Sequence, residues 1–159
     1  MSLTNNRAIV RRYFAEVWNQ GDVAVIDELV APTYLRHNDS IPAGGVSGSD
    51  ALKRIVTSER LTFPDLAQSI EDMISEADRV TVRLKSSGTM RGKLLEHEPT
   101  GKHFTIPAIH IIRLSDGRIQ EEWLTVNVIG ILSQLELTPA LRQLLQPFSG
   151  QELPAASAQ

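Results

Sequence analysis

The stretch Gly101–Asn127, GKHFTIPAIHIIRLSDGRIQEEWLTVN, decides the fold. It reads as two strands joined by a tight turn. Side chains alternate along a strand, so Phe104, Ile106, Ala108, His110, Ile112 and Leu114 share one face. Asp116-Gly117 is the strongest short hairpin signal, because both central residues of such a turn need positive φ. Ile119, Glu121, Trp123, Thr125 and Asn127 then share a face of the second strand. With Asp116-Gly117 as a two-residue loop, Ser115 pairs with Arg118. The register follows: Leu114 faces Ile119, Ile112 faces Glu121, His110 faces Trp123, Ala108 faces Thr125 and Ile106 faces Asn127. A three-residue loop or a bulge would slip this register and turn one strand over. As it stands, a histidine, a glutamate, a tryptophan, a threonine and an asparagine sit on an otherwise apolar surface. That is the composition of a greasy pocket with a few polar groups aimed inward.

The bulk numbers narrow the class. The chain has 159 residues, which is enough to bury a core in a single domain. It has no Cys, so disulfides and thiolate chemistry are excluded and a reducing compartment fits. Lys and Arg total 16 against 19 Asp and Glu, a net charge of −3 with no basic run, which argues against nucleic acid as a partner. The first residues, MSLTNNRAIVRRYF, lack the apolar core and small-residue cleavage site of a secretory signal. No apolar run approaches the ~20 residues that span a bilayer. These features predict a soluble, cytoplasmic protein with no membrane partner.

Outward from the hairpin, the N-terminal third is helical. Thr4 caps a first helix whose apolar side is Ile9, Val10, Tyr13, Phe14, Val17 and Trp18, stopped by Gly21. Asp22 caps a second, with Val23, Ile26, Leu29 and Val30 on one stripe and Pro32 ending it. Tyr13, Phe14 and Trp18 read first as core, although the polar tips of Tyr13 and Trp18 suit a cavity wall too. Tyr34 to Asp39 then enters a Gly/Pro/Ser-rich loop, and His37 stands at its edge, either exposed or functional. Ser49 or Asp50 starts a third helix with Leu52, Ile55 and Val56 buried, closed by Pro64. From Ala67 the period becomes two: Ser69–Ser75 and Arg79–Met90 are strands around a turn at Glu76-Ala77-Asp78, and Gly88 and Gly92 mark a bend or bulge. His97 and His103 lie in polar surroundings and face solvent. Val128 to Leu135 closes the core, Thr138 to Leu145 suggests a last helix, and 147–159 reads as a disordered tail after a single domain over 1–146. Three helices followed by antiparallel strands give the α+β class: a curved sheet with the N-terminal helices over its concave face, a cone-shaped barrel with one deep opening.

Four segments in this order resemble the SnoaL-like polyketide cyclase and ester cyclase family, of the nuclear-transport-factor-type cone fold. They are Tyr13–His37, the Gly-rich loop before the third helix, Ser86–Leu114 and Asp116–Leu135. After the turn the family pattern has Gly, Lys or Arg, Ile, a Glu, a Trp, and an Asp four residues past the Trp. This chain matches at Gly117, Arg118, Ile119, Glu121 and Trp123 and departs at Asn127. The resemblance implies that this last position is the acid/base of an intramolecular aldol closure, and an Asn amide hydrogen-bonds but takes up no proton at neutral pH.

The expected chemistry is therefore cofactor-independent acid/base work on a small hydrophobic carbonyl or ester compound: ring closure, isomerisation or hydration. His110 is the natural base, since imidazole titrates near neutrality. Glu121 orients it from a diagonal position or acts as base itself, Asn127 donates to a developing oxyanion, and His37 stands at the rim. Trp123, Tyr13, Trp18, Ile106 and Phe104 are the expected substrate-binding walls. Other readings stay open: His110 as a satisfied core histidine, and Glu121 in an ion pair with Arg83 or Arg113. No metal-binding spacing such as HExxH and no phosphate-binding glycine motif is present, so neither a metal nor a nucleotide cofactor is indicated. A non-catalytic binder of small hydrophobic ligands and a dimerisation module are the alternatives. Thr81, Arg83, Ile109 and Ile111, on the outer sheet face, point to a homodimer.

Overall fold

The computed structural model describes residues 3–38, 40 and 45–137. The proposed closing helix over Thr138–Leu145 and the tail from Pro147 lie outside them. A first helix, α1 (Leu3–Arg12), runs on as a π-helical segment, Tyr13–Asn19, before Gly21 breaks it at φ 75°. Because α1 begins at Leu3, Thr4 lies within it rather than capping it. Asp22 does cap, accepting from the Ala24 N–H, and leads through a short 3-10 turn into α2 (Ile26–Leu29).

The expected second helix is cut short, because the chain is already a strand at Val30: β1 covers Val30–Asn38. Its burial alternates from Tyr34 on, with Tyr34 and Arg36 inward. Pro32, expected to end a helix, sits where the β1 pairing shifts between Val30 and Leu35, a place that spares the missing N–H. Next come β2 (Val46–Ser47) and α3 (Ser49–Thr62), which buries Leu52 and Val56. The long strands follow: β3 (Ala67–Glu76), β4 (Arg79–Thr89), β5 (His103–Ser115) and β6 (Arg118–Val126), then α4 (Val128–Gln134).

The six strands form one curved sheet in the order β2-β1-β6-β5-β4-β3. It is antiparallel throughout except where β1 runs parallel to β6. The sheet does not close into a barrel; β2 and β3 are its edges. This is the expected α+β architecture. The apolar side of the N-terminal helical stretch, with Tyr13, Phe14, Val17 and Trp18 all buried, packs with the inner faces of β4, β5 and β6 into one core.

The hairpin turn forms as the sequence demands, with Asp116 at φ 52° and Gly117 at φ 76°. Ser115 pairs with Arg118 and Leu114 with Ile119. There the expected register ends. Arg113 pairs with Glu121, leaving Gln120 as an extra residue on β6. This bulge shifts every later pair by one: Ile112 faces Glu122, Ile111 faces Trp123 and His110 faces Leu124.

Candidate active site

The bulge decides which carboxylate meets the histidine. With side chains alternating about a shifted register, Glu122 turns inward beside His110, and Glu121 turns outward. His110 Nδ1 lies 2.6 Å from Glu122 Oε1. The other carboxylate oxygen accepts hydrogen bonds from the Tyr34 hydroxyl and, at 3.2 Å, from the Tyr13 hydroxyl. Arg36 Nε stands 3.5 Å from it, close enough for charge attraction but without a hydrogen bond. All of this is deeply buried, with His110 2% exposed and Glu122 0%.

The electrostatics fix the protons. Burial pushes the Glu122 carboxyl up, but the His110 hydrogen bond, the Arg36 charge and the Tyr34 hydroxyl outweigh it and hold it at about 2. Glu122 is thus an anion that only accepts. Nδ1 of His110 then carries the N–H that faces Glu122, and in the neutral imidazole Nε2 holds the lone pair. Nε2 carries no hydrogen bond among the described residues. Tyr13 and Tyr34 are raised above the ordinary phenol value, first by burial and next by Glu122, so both stay protonated donors. Phe14 packs edge-on against the imidazole at 5.3 Å between ring centres and fixes its plane.

His110 opens onto a cavity of about 930 Å³. Its walls are mainly apolar: Phe63 and Leu66 after α3, Phe104 and Ala108 on β5, Leu124 on β6, and Leu132 on α4. Arg36 and Glu59 join His110 there. Burial raises the Glu59 carboxyl above its ordinary value, against the pull of Arg36 and His110. Gln68 and Ser86 are further polar wall residues. A hollow of this size, with few and convergent polar groups, suits a ligand of several rings.

Of the residues expected at the site, His110 and Phe104 are in the cavity wall. Glu121 is not: it bonds His37 Nε2 at 2.8 Å and Arg113 Nη2 at 2.9 Å on the outer face, so its ion-pair reading with Arg113 is the one realised. Those contacts, the His37 bond first, hold its carboxyl below the ordinary range. Trp123 is outside as well, stacked on His37 at 5.4 Å with Arg79 over its other surroundings at 5.7 Å from the ring centre. His37 therefore belongs to an outer cluster and not to the cavity rim. Asn127 is exposed, and its side chain caps α4 by accepting from Gly130 N–H at 2.8 Å. Tyr13 and Trp18 are wholly buried behind the site, because the apolar helical stripe packs into the core. Ile106 is buried without reaching the cavity wall. His103 is exposed as expected, while His97 is half-buried in a small bridge with Leu94.

Four residues of the arrangement went unread in the sequence: Tyr34, Arg36, Glu59 and Glu122. The alternation of Tyr34 and Arg36 was a usable strand signal. The adjacent pair Glu121-Glu122 offered no local cue to which member faces in.

An open curved sheet whose concave side holds a buried imidazole–carboxylate pair against an oily hollow defines a small acid/base or ligand-binding protein of the cone type. The chain belongs to the SnoaL-like polyketide cyclase family, whose pattern it matches over residues 8–135. Nogalonic acid methyl ester cyclase of Streptomyces nogalater is 29% identical over 119 residues, 74% of this chain and 88% of that protein. Aklanonic acid methyl ester cyclase DauD, from a Streptomyces species, is 31% identical over 134 residues, 80% and 79% of the two chains. Among solved structures, a protein of Jannaschia sp. CCS1 superposes with a TM-score of 0.76 at 24% identity, covering 83% of this chain and 92% of that one. TsrD of Streptomyces laurentii gives 0.74 at 21%, covering 85% and 97%. At such identities these two show the fold.

Proposed function

We propose that this protein is a cyclase-type enzyme that closes a ring in a small hydrophobic carbonyl or ester compound by acid/base catalysis from its own side chains, with no cofactor. The carrying observation is the 2.6 Å contact between His110 and an ionised, buried Glu122 at the wall of a large oily cavity. The relatives named as methyl ester cyclases favour this over a binder without chemistry. His110 Nε2 takes the proton next to a carbonyl. Glu122 stabilises the imidazolium that results, and two tyrosines and Arg36 keep Glu122 in place. The enolate carbon then attacks a second carbonyl carbon of the same molecule, forming the new C–C bond. The proton on Nε2 returns to the new alkoxide, so the reaction is an isomerisation with nothing gained or lost. Arg36, whose terminal nitrogens carry no hydrogen bond among the described residues, faces the charge on oxygen. Glu59 is a second group able to hold a proton there. The working unit is one cone domain, and a chain without cysteine suits the cytoplasm.

The test uses an aromatic methyl ester bearing a β-keto side chain, with cyclised product followed by chromatography. His110→Ala should lower turnover ~10²–10⁴-fold while the ester still binds. Unchanged turnover in His110→Ala overturns the assignment.

A further inference from the structure

The polar groups of the cavity are not all at its reactive end. Gln68 on β3 and Ser86 on β4 pair directly across the sheet and both point inward. Gln68 is 9% exposed and Ser86 7%. Gln68 Oε1 is buried without a hydrogen-bond partner among the described residues, and Ser86, its pair across the sheet, lines the same cavity. The Gln68 backbone is fully engaged with Asn19, at 3.0 Å and 2.7 Å, so the position is held firmly while its side-chain amide is left over. Leaving a buried polar group such as this amide oxygen unpaired costs stability. Such groups at a cavity wall call for a ligand that completes them.

Register gives their distance from the reactive end. Ser86 pairs with Ile106, and His110 lies four residues further along the same strand. At about 3.3 Å per residue the two ends are separated by roughly 13 Å along β5. On β5 the wall between them is Ala108, and the apolar Phe104 and Leu66 lie on the other side of the Gln68–Ser86 pair.

We propose that Gln68 and Ser86 form a second polar pole that selects substrates carrying a hydroxyl group on the ring farthest from the reacting ester. The proposal rests on the cyclase reading for which end reacts, and it adds a requirement at the other end of the molecule: a hydroxyl able to donate to Gln68. Gln68 Oε1 accepts from a phenol O–H, and Ser86 both donates to and accepts from the same oxygen. A binding site that holds a buried hydrogen-bonding pair discriminates strongly against the analogue that lacks its partner.

The experiment measures binding of two fluorescent probes to the full chain. One is a linear three-ring aromatic methyl ester. The other is the same ester with a phenolic hydroxyl on the ring farthest from the ester group. The hydroxylated probe should bind wild type roughly tenfold tighter or more. Gln68→Met and Ser86→Ala should each erode that preference, and the double variant should abolish it, with the plain ester bound at least as tightly as before. Gln68→Met is near-isosteric and leaves the backbone bonds to Asn19 intact, and the melting temperature of each variant checks folding. Equal affinity of wild type for the two probes overturns the proposal, as does a preference that survives in the double variant. His110→Ala should keep the preference. Unchanged turnover of His110→Ala in the proposed cyclase assay, with the preference intact, sinks the cyclase assignment and leaves the second pole standing. Failure of both probes to bind wild type removes both.

Discussion

Glu121 and Glu122 are neighbours in sequence and opposites in physics. Glu121 is partly exposed and shares its charge with His37 and Arg113, so replacing it disturbs a surface network worth little. Glu122 is 0% exposed and is the centre of four groups, His110, Tyr13, Tyr34 and Arg36. Removing one partner of such a buried pair is costly, about 3–5 kcal/mol. Glu122→Gln should therefore melt far below wild type at neutral pH and lose turnover, while Glu121→Gln should change both little. The pH dependence has a definite sign. The folded value of Glu122, about 2, lies below its ordinary 4.5. Its stabilisation is thus full above about 4.5, on the order of 3 kcal/mol, and is lost as pH falls toward 2. Urea unfolding of wild type and Glu122→Gln between pH 6 and about 2 reads this directly. The gap in stability should shrink as the pH drops, and a gap independent of pH would show that Glu122 is not held as an anion.

At the scale of elements, one extra residue in β6 controls the site. Ile119 faces Leu114 and Glu121 faces Arg113, so Gln120 alone is unpaired in the ladder, its amide turned back to the Ser115 carbonyl at 3.1 Å. Deleting Gln120 leaves a regular ribbon in which Glu122 still faces Ile112. The deletion variant should therefore fold and keep turnover within a few-fold. A regular register in the intact chain would have put Glu121 inward, and deletion would then turn β6 over and destroy the site, so an inactive but folded deletion variant would falsify the bulge. This is also where sequence reading reached its limit. Periodicity of two gave β4 and β5 and their inner faces, and Asp116-Gly117 gave the turn, because both signals are local. The bulge is set by how β6 twists against β5 and β1 together, which no window of residues contains. His110 was found because it lies before the turn, and its partner was misread because it lies after the bulge. The same holds for β1: Pro32 and a preceding apolar stripe mimic a helix end, and only the parallel pairing with β6 makes Tyr34 and Arg36 inward-facing.

For the whole molecule, the sheet separates two tasks onto two faces. The concave face carries the cavity. The convex face carries Ile109, 49% exposed, Ile111, 37%, and Ile74, 65%, in rows that also hold Trp123, Thr81 and Arg83. Around this apolar centre stand Arg83 and Arg113 with Asp72 and Glu121, charges of both signs. A surface with an oily middle and mixed charges is complementary to itself across a two-fold axis, and we propose that it forms a homodimer. A stable contact of this kind needs upward of about 1,000 Å² of buried surface, which a face of four strands can supply. Charged replacements at the centre should break it: Ile109→Lys with Ile111→Lys should sediment as a monomer where wild type sediments as a dimer. Because both side chains alternate away from the concave face, the variant should bind an aromatic ester as wild type does. A wild type that sediments as a monomer at tens of micromolar would remove the dimer. A monomeric variant that loses the ester would instead mean that the cavity depends on its partner, and that the two faces of the sheet are energetically one.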